Sequence, residues 1–272
     1  MKLGIIGLGV LGSTYYHGYK YLGFNVKGYD KYKTGDVNTI AELFDTDAIF
    51  ICLPTICDVN NNPDYTPFED VLPQLNGYTG TIIVRSTMLP GETQFFADKY
   101  NLDLIHVPEF LTEKNAALDF FSPNRILIGL TEKLAMKYRW DEDNIPQWTV
   151  HLKELFKPFD VPVFITQSLQ TEMAKIAANT MLAIKVTYAN EMKNICDSVG
   201  INWENIVEMN SPDVRLAMNS HMTVTKEGGY SGMCLPKDTK QLINFAIKNN
   251  YNPEFFIQMD KSNNKFRGIK NE

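Results

Sequence analysis

Lys2-Leu3-Gly4-Ile5-Ile6-Gly7-Leu8-Gly9-Val10-Leu11-Gly12 opens the chain. A short apolar run compatible with a buried strand leads straight into three glycines spaced G-x-G-x-x-G, and a helix-compatible stretch follows. In such a turn the first glycine makes a tight bend, the second lets the backbone approach a pyrophosphate, and the third lets the helix pack on the strand. A second apolar run, Phe24 to Tyr29, ends in Asp30, 18 residues beyond Gly12, the spacing at which a carboxylate meets a ribose hydroxyl. Together these read as a dinucleotide-binding β-α-β unit; the alternative is the same fold with an idle glycine turn. Asp30 favours NAD over NADP because a carboxylate repels a 2′-phosphate, a preference that Lys31 and Lys33 soften.

Outward from that unit, apolar runs at Ala48 to Leu53, Thr81 to Val84, Leu104 to Val107 and Ile126 to Leu130 alternate with helix-compatible segments. The alternation predicts an α/β Rossmann-type domain over residues 1–166, with a parallel sheet covered on both faces. From Ser168 to Val199 no Gly or Pro interrupts 32 residues of helical periodicity, and Gly200 supplies a stop. The expected helix is about 48 Å long, more than one small domain can cover, so it is expected to connect domains and to pack against a second copy. Residues 167–260 are read as a smaller all-helical domain containing this helix, and 261–272 as a polar, frayed tail.

The length of 272 residues fits two domains, and 44% apolar with 21% charged residues excludes a disordered chain. The net charge of −6, with no long basic run, argues against nucleic acid as a partner. No apolar stretch reaches the roughly 18 residues of a membrane span, and nothing at the N-terminus reads as a signal peptide, so the expected location is cytoplasmic. Four cysteines without C-x-x-C spacing indicate neither a disulfide framework nor a metal site. Cys52 and Cys196 fit buried structural positions, and Cys57 is left open.

Cys234 differs. It follows a glycine-rich loop, Gly228 to Met233, and precedes a helix expected from about Pro236. A thiol at a helix N-terminus beside Lys237 is a competent nucleophile, although most cysteines are simply buried. Asp238, a turn further on, is placed to hold a water or accept a proton. Lys175 and Asn179 project from one face of the long helix. Glu109 and Glu113 follow the end of an expected strand, where open α/β sheets handle ligands.

This set of motifs resembles the UDP-glucose/GDP-mannose dehydrogenase family. The resemblance rests on Gly7 to Gly12, Leu53-Pro54-Thr55, Arg85 to Pro90, Pro108-Glu109-Phe110-Leu111, Glu172-Met173-Ala174-Lys175 with Asn179, Asp213-Val214-Arg215 and Cys234-Leu235-Pro236-Lys237-Asp238, in the family's order. It implies NAD-dependent oxidation of a nucleotide sugar's C6 alcohol to the carboxylate, with Cys234 passing through a thiohemiacetal and a thioester. It further implies Lys175 and Asn179 as oxyanion donors, Asp238 and Glu109 handling water, and Thr87 beside both cofactor and water. Gly7, Gly9, Val10, Leu11, Gly12, Asp30, Thr55, Thr87 and Glu113 would hold NAD. Phe110, Leu111, Lys175, Arg215, Tyr230 and Gly232 would meet substrate, Arg215 reaching across a homodimer built on the long helix.

Departures from the family pattern bear on binding more than on chemistry. The usual Gly-Phe-Gly-Gly-Ser-Cys becomes Gly229-Tyr230-Ser231-Gly232-Met233-Cys234, a bulkier loop; Val107, Thr112 and Leu216-Ala217 replace Asn, Arg and Ile-Gly. Family chains continue into a second Rossmann-like domain that closes over the nucleotide, and the 34 residues after Asp238 are too few for it, so a short form is expected. Two other readings compete. A single-step hydroxyacid or polyol dehydrogenase would share the fold and have no use for Cys234. A non-catalytic NAD-binding fragment would need a partner chain.

Overall fold

The computed structural model describes residues 1–58, 60–140 and 145–269. It divides into two compact units, Met1–Thr55 with Asp64–Lys175, and Ile56–Pro63 with Ile176–Glu272.

The first unit carries a seven-stranded sheet of β1 (Lys2–Ile6), β2 (Asn25–Tyr29), β3 (Ala48–Ile51), β4 (Thr81–Val84), β5 (Leu104–His106), β6 (Ile126–Leu130) and β7 (Val163–Gln167), in the order β2-β1-β3-β4-β5-β6-β7. Strands β1 to β5 are parallel, as the alternation of elements predicts. Successive side chains point to opposite faces, so Leu3, Ile5, Phe50 and Ile83 enter one apolar cluster and Ile6, Ile49, Ile51 and Val84 the other. Helices α1 (Val10–Tyr21), α2 (Thr66–Val71), α3 (Glu92–Tyr100), α4 (Ala116–Phe121), α5 (Glu132–Trp140) and α6 (Gln147–Phe156) connect the strands. Tyr15, Phe120 and Leu152 from α1, α4 and α6 cover the first face; Phe68 and Phe96 from α2 and α3 cover the second.

Two features depart from the expected parallel sheet. Strand β6 runs antiparallel to β5, pairing Ile105 with Leu130 and His106 with Gly129, and β7 follows β6 in parallel. A parallel crossover needs a connecting helix long enough to return the chain to the other end of the sheet. Helix α4 has only six residues, about 9 Å. It packs on α1 instead, where a Cβ on Gly18 would lie 2.4 Å from the Phe120 ring. Strand β7 itself was not expected. Its Val163, Phe164 and Ile165 are 48%, 54% and 42% exposed, so this edge strand lacks the two-sided burial that made the others readable.

Helix α7 (Ser168–Ser198) matches the long helix expected, about 46 Å of it. The units divide within it, after Lys175, and not at residues 166/167 where composition changes. The reason is local: Glu172 accepts hydrogen bonds from the backbone N–H groups of Gly91 (2.7 Å) and Thr93 (2.8 Å), tying the first turns of α7 to the start of α3.

The second unit contains the rest of α7, α8 (Trp203–Asn210), α9 (Cys234–Lys248) and α10 (Glu254–Phe266). Trp203 is buried beside Ala189, Cys196, Met218 and Met222, and its indole N–H donates to the Met222 carbonyl at 2.9 Å. Residues 261–266, expected as frayed tail, form the end of α10. Asn263 is 3% exposed and clamps Tyr230 by accepting from its N–H at 2.6 Å and donating to its carbonyl at 3.2 Å. A polar side chain is buried there because both its hydrogen-bonding ends are used. Residues 270–272 lie outside the described residues.

Candidate active site

In the first unit the glycine turn has the form its spacing demands. A Cβ on Gly12 would lie 1.8 Å from the Gly7 carbonyl oxygen, so only glycine lets α1 approach β1. Gly9 has nothing within 4 Å of where its Cβ would be, and it caps α1 with no side chain on the first-turn N–H groups. That is an open helix N-terminus with backbone donors facing outward, suited to a pyrophosphate. Asp30, at the end of β2, accepts from the N–H of Leu8 at 2.6 Å and from those of Tyr32 (2.8 Å) and Lys33 (3.0 Å). These bonds fix the carboxylate beside the turn and leave lone-pair capacity for a ribose hydroxyl. The Lys33 ammonium donates to the Leu8 carbonyl at 2.7 Å, so it too lies along the turn. The residues present therefore fit a dinucleotide.

Further along the same unit, Lys175 is 3% exposed, and its Nζ pairs with Glu109 Oε1 at 3.0 Å, while Glu109 Oε2 accepts from the Leu111 N–H at 2.5 Å. The lysine also lies 5.3 Å from the Phe110 ring centroid. Behind this pair sits a buried polar chain. His106 Nδ1 faces the Thr171 hydroxyl at 2.8 Å, and its Nε2 faces the Ser86 carbonyl at 3.3 Å, a bond that needs the proton on Nε2. Burial, aided by Arg85 and Lys175, drags its pKa down to about 3. Thr55 is buried, Thr87 half-buried and Glu113 exposed at the start of a short 3-10 turn.

In the second unit, Cys234 is the first residue of α9, two positions before the expected start, and is exposed. Asp238, one turn on, is fully buried; Asn179 Nδ2 donates to its Oδ2 at 2.5 Å, and Lys237 Nζ pairs with its Oδ1 at 2.5 Å. The charge of Lys237, read from the sequence as a neighbour of the thiol, is thus engaged by Asp238. Segment 56–63 packs here as well: Cys57 Sγ is 3.9 Å from the Lys237 carbonyl, and Asn244 donates to the Asn60 carbonyl at 2.6 Å.

Several expected substrate contacts stand differently. Tyr230 is 1% exposed, with its hydroxyl 3.0 Å from Asp260 and its N–H and carbonyl both held by Asn263, so the bulk it adds to the loop is turned inward and the residue is closed to a ligand. Met233, 69% exposed, carries the outward bulk. Gly232 is exposed, and the Arg215 guanidinium is exposed and bound to Asp213 at 2.5 Å. Cys52 and Cys196 are buried as expected, and burial pushes the Cys52 thiol up. Sequence reasoning assigned no role to Glu172, His106 or Arg85, because each acts through partners distant in the chain; Arg85 and Glu172 stood out only as members of the quoted motifs, and His106 only as a polar residue inside an apolar run.

A Rossmann-type unit with an open glycine turn is thus followed by a long helix bearing a buried lysine and asparagine. Residues 34–160 match the NAD binding domain of the UDP-glucose/GDP-mannose dehydrogenase family, and residues 170–265 match its central domain. The chain belongs to that family. A UDP-glucose 6-dehydrogenase of Streptococcus pneumoniae is 33% identical over 204 residues, 73% of this chain and 50% of the relative. One of Bacillus subtilis is 28% identical over 234 residues, 82% and 49%. A UDP-glucose dehydrogenase from the archaeon Pyrobaculum islandicum shares the fold with a TM-score of 0.80 at 23% identity, covering 98% of this chain and 68% of that one. The chain spans about half the length of the curated relatives it matches. Among the described residues no helix is long and apolar enough to cross a membrane.

Proposed function

We propose that the chain oxidises the C6 primary alcohol of a nucleotide sugar such as UDP-glucose to the carboxylate, in two NAD-dependent steps joined by a covalent intermediate on Cys234. The observation that carries this reading is the pairing of an exposed thiol at the N-terminus of α9 with a fully buried carboxylate, Asp238, one turn away and gripped by Asn179 and Lys237. Burying that carboxylate costs stability unless its partners compensate, and an exposed cysteine adds nothing to a core.

NAD, when bound, supplies the hydride acceptor for each oxidation. The N–H groups of Gly9, Val10 and Leu11 would take its pyrophosphate, Asp30 would take its ribose, and Thr55, Thr87 and Glu113 would hold the rest of the cofactor. A water held by Asp238 accepts the alcohol proton, and the C6 hydride leaves, giving an aldehyde. Cys234 gives up its thiol proton to water, and the resulting thiolate Sγ attacks the aldehyde carbon, forming a C–S bond as the carbonyl π pair moves to oxygen. Lys175 Nζ and Asn179 Nδ2 hold that oxyanion, and such donors are worth roughly a hundredfold or more in rate. Loss of the second hydride gives a thioester. Water assisted by Glu109 adds to its carbonyl and breaks the C–S bond, releasing the acid and the thiol. Phe110, Leu111, Gly232 and Arg215 meet the substrate.

The reading includes a homodimer through α7, whose Met181, Tyr188 and Ile195 recur every seven residues and are 51%, 49% and 51% exposed. All four cysteines are thiols, which fits the reducing cytoplasm as the compartment. The test is Cys234→Ser. We expect the first oxidation to survive and acid formation to fall by about a hundredfold or more, followed by mass spectrometry of the sugar product. Acid formed at the wild-type rate would overturn the thioester route.

A further inference from the structure

The first unit encloses a cavity of about 240 Å³ bounded by α1, the β5–β6 connection and the end of α6. Its walls include the rings of Tyr15, Phe110, Phe120, Phe156 and Phe159; of its lining, Glu109, Phe110 and Leu111 also serve the mechanism above, whereas Arg85, Arg125 and the other four rings have no part in it. Arg85 reaches it from the end of β4. This guanidinium is 6% exposed and lies 4.3 Å from the Tyr15 ring centroid and 5.4 Å from that of Phe50. One of its terminal nitrogens donates to the Tyr15 hydroxyl, while Nε is buried without a hydrogen-bond partner.

Arg85 has no carboxylate of its own: Glu109 acts on it electrostatically but is bonded to Lys175, so one carboxylate serves two buried cations. The two carboxylates that line the cavity are both engaged elsewhere. Glu109 holds Lys175 at 3.0 Å and the Leu111 N–H at 2.5 Å; Asp119 accepts from the N–H and hydroxyl of Thr112, both at 2.7 Å. A second cation, Arg125, sits at the same cavity, 3.9 Å from the Phe110 ring centroid. Burial pulls the Arg85 pKa down to about 9, which still leaves it charged near neutral pH. A buried charge without a partner is costly, and a bound anion offsets that cost.

We propose that this cavity binds a small organic anion, a carboxylate carried on a flat apolar body, with the carboxylate on Arg85 and the body against the aromatic walls. The charge follows from a guanidinium whose electrostatic partner, Glu109, is held by Lys175, the flat body from rings that favour stacked or edge-on contact, and the small size from the volume. The site stands apart from the glycine turn, so it would be filled together with NAD. The inference does not depend on the reaction proposed above.

Calorimetric titration of the full chain with benzoate, in the presence and absence of saturating NAD, tests it. Benzoate should bind one site per chain in both conditions; its neutral analogue benzamide, and inorganic phosphate, should bind about tenfold more weakly or worse, the loss expected for one charge-assisted hydrogen bond or for the apolar contacts. Arg85→Met should lose benzoate by a similar factor while still binding NAD. Arg125→Gln, at a half-buried position whose removal leaves the core intact, should weaken benzoate several-fold and serves if the first variant does not fold. No saturable binding, equal binding of benzamide, tighter binding of phosphate, displacement of benzoate by NAD, or undiminished affinity in the folded variants would each overturn the proposal.

Discussion

His106 shows what a single residue costs this fold. Its ring is completely buried, and burial, with Arg85 and Lys175 nearby, holds its pKa near 3, whereas a histidine in the unfolded chain titrates at about 6.5. As pH falls below about 6.5 the unfolded chain takes up a proton that the native chain refuses, so stability present at neutral pH is lost on acidification. Between pH 7 and pH 5 this one group should cost about 2 kcal/mol. Urea unfolding at the two pH values should show His106→Gln losing that much less than the wild type; an equal loss in both would place the acid sensitivity elsewhere. Neither His106 nor Arg85 could be assigned from sequence, since each is defined by what surrounds it: a threonine on α7 for one, two rings and a cavity for the other. Cys234, Asp238, Lys175 and Asn179 were readable because their spacing is local, a turn apart on one helix or the next. Even there the pairing of Lys237 with Asp238 was not foreseen.

Between elements, the bond that matters most is the one Glu172 makes from α7 to the start of α3. Its carboxylate accepts two backbone N–H groups that no side chain of α3 itself caps. Glu172→Ala would leave the buried Thr93 donor and the half-buried Gly91 donor unpaired, and should cost about 2–4 kcal/mol. The urea midpoint of the variant checks this; a shift worth less than about 0.5 kcal/mol would mean that the cap is replaceable. The same contact explains why the first unit extends to Lys175, past the change in composition. Strand positions β1 to β6 were readable from apolar runs bounded by glycine and polar residues. The direction of β6 was not, because it depends on the brevity of α4. Nor was β7, an edge strand with exposed apolar side chains. The end of α10 read as tail because its buried Asn263 looks in sequence like any solvated residue, and only its clamp on Tyr230 reveals its place.

For the molecule as a whole, the exposed stripe of Met181, Tyr188 and Ile195 on α7 calls for a partner helix. Light scattering after gel filtration should give a dimer for the wild type and a monomer, or a dimer about tenfold weaker, for Tyr188→Glu; a wild-type monomer at tens of micromolar would remove α7 from consideration as an interface. The central claim concerns the reaction, and it is tested most directly by the ratio of NADH to sugar acid when the purified chain is incubated with NAD and UDP-glucose, absorbance and mass spectrometry being read on the same samples. Each nicotinamide accepts one hydride, so alcohol to acid predicts about two NADH per acid formed. One NADH with a carbonyl product would contradict the account and assign the chain a single-step dehydrogenation.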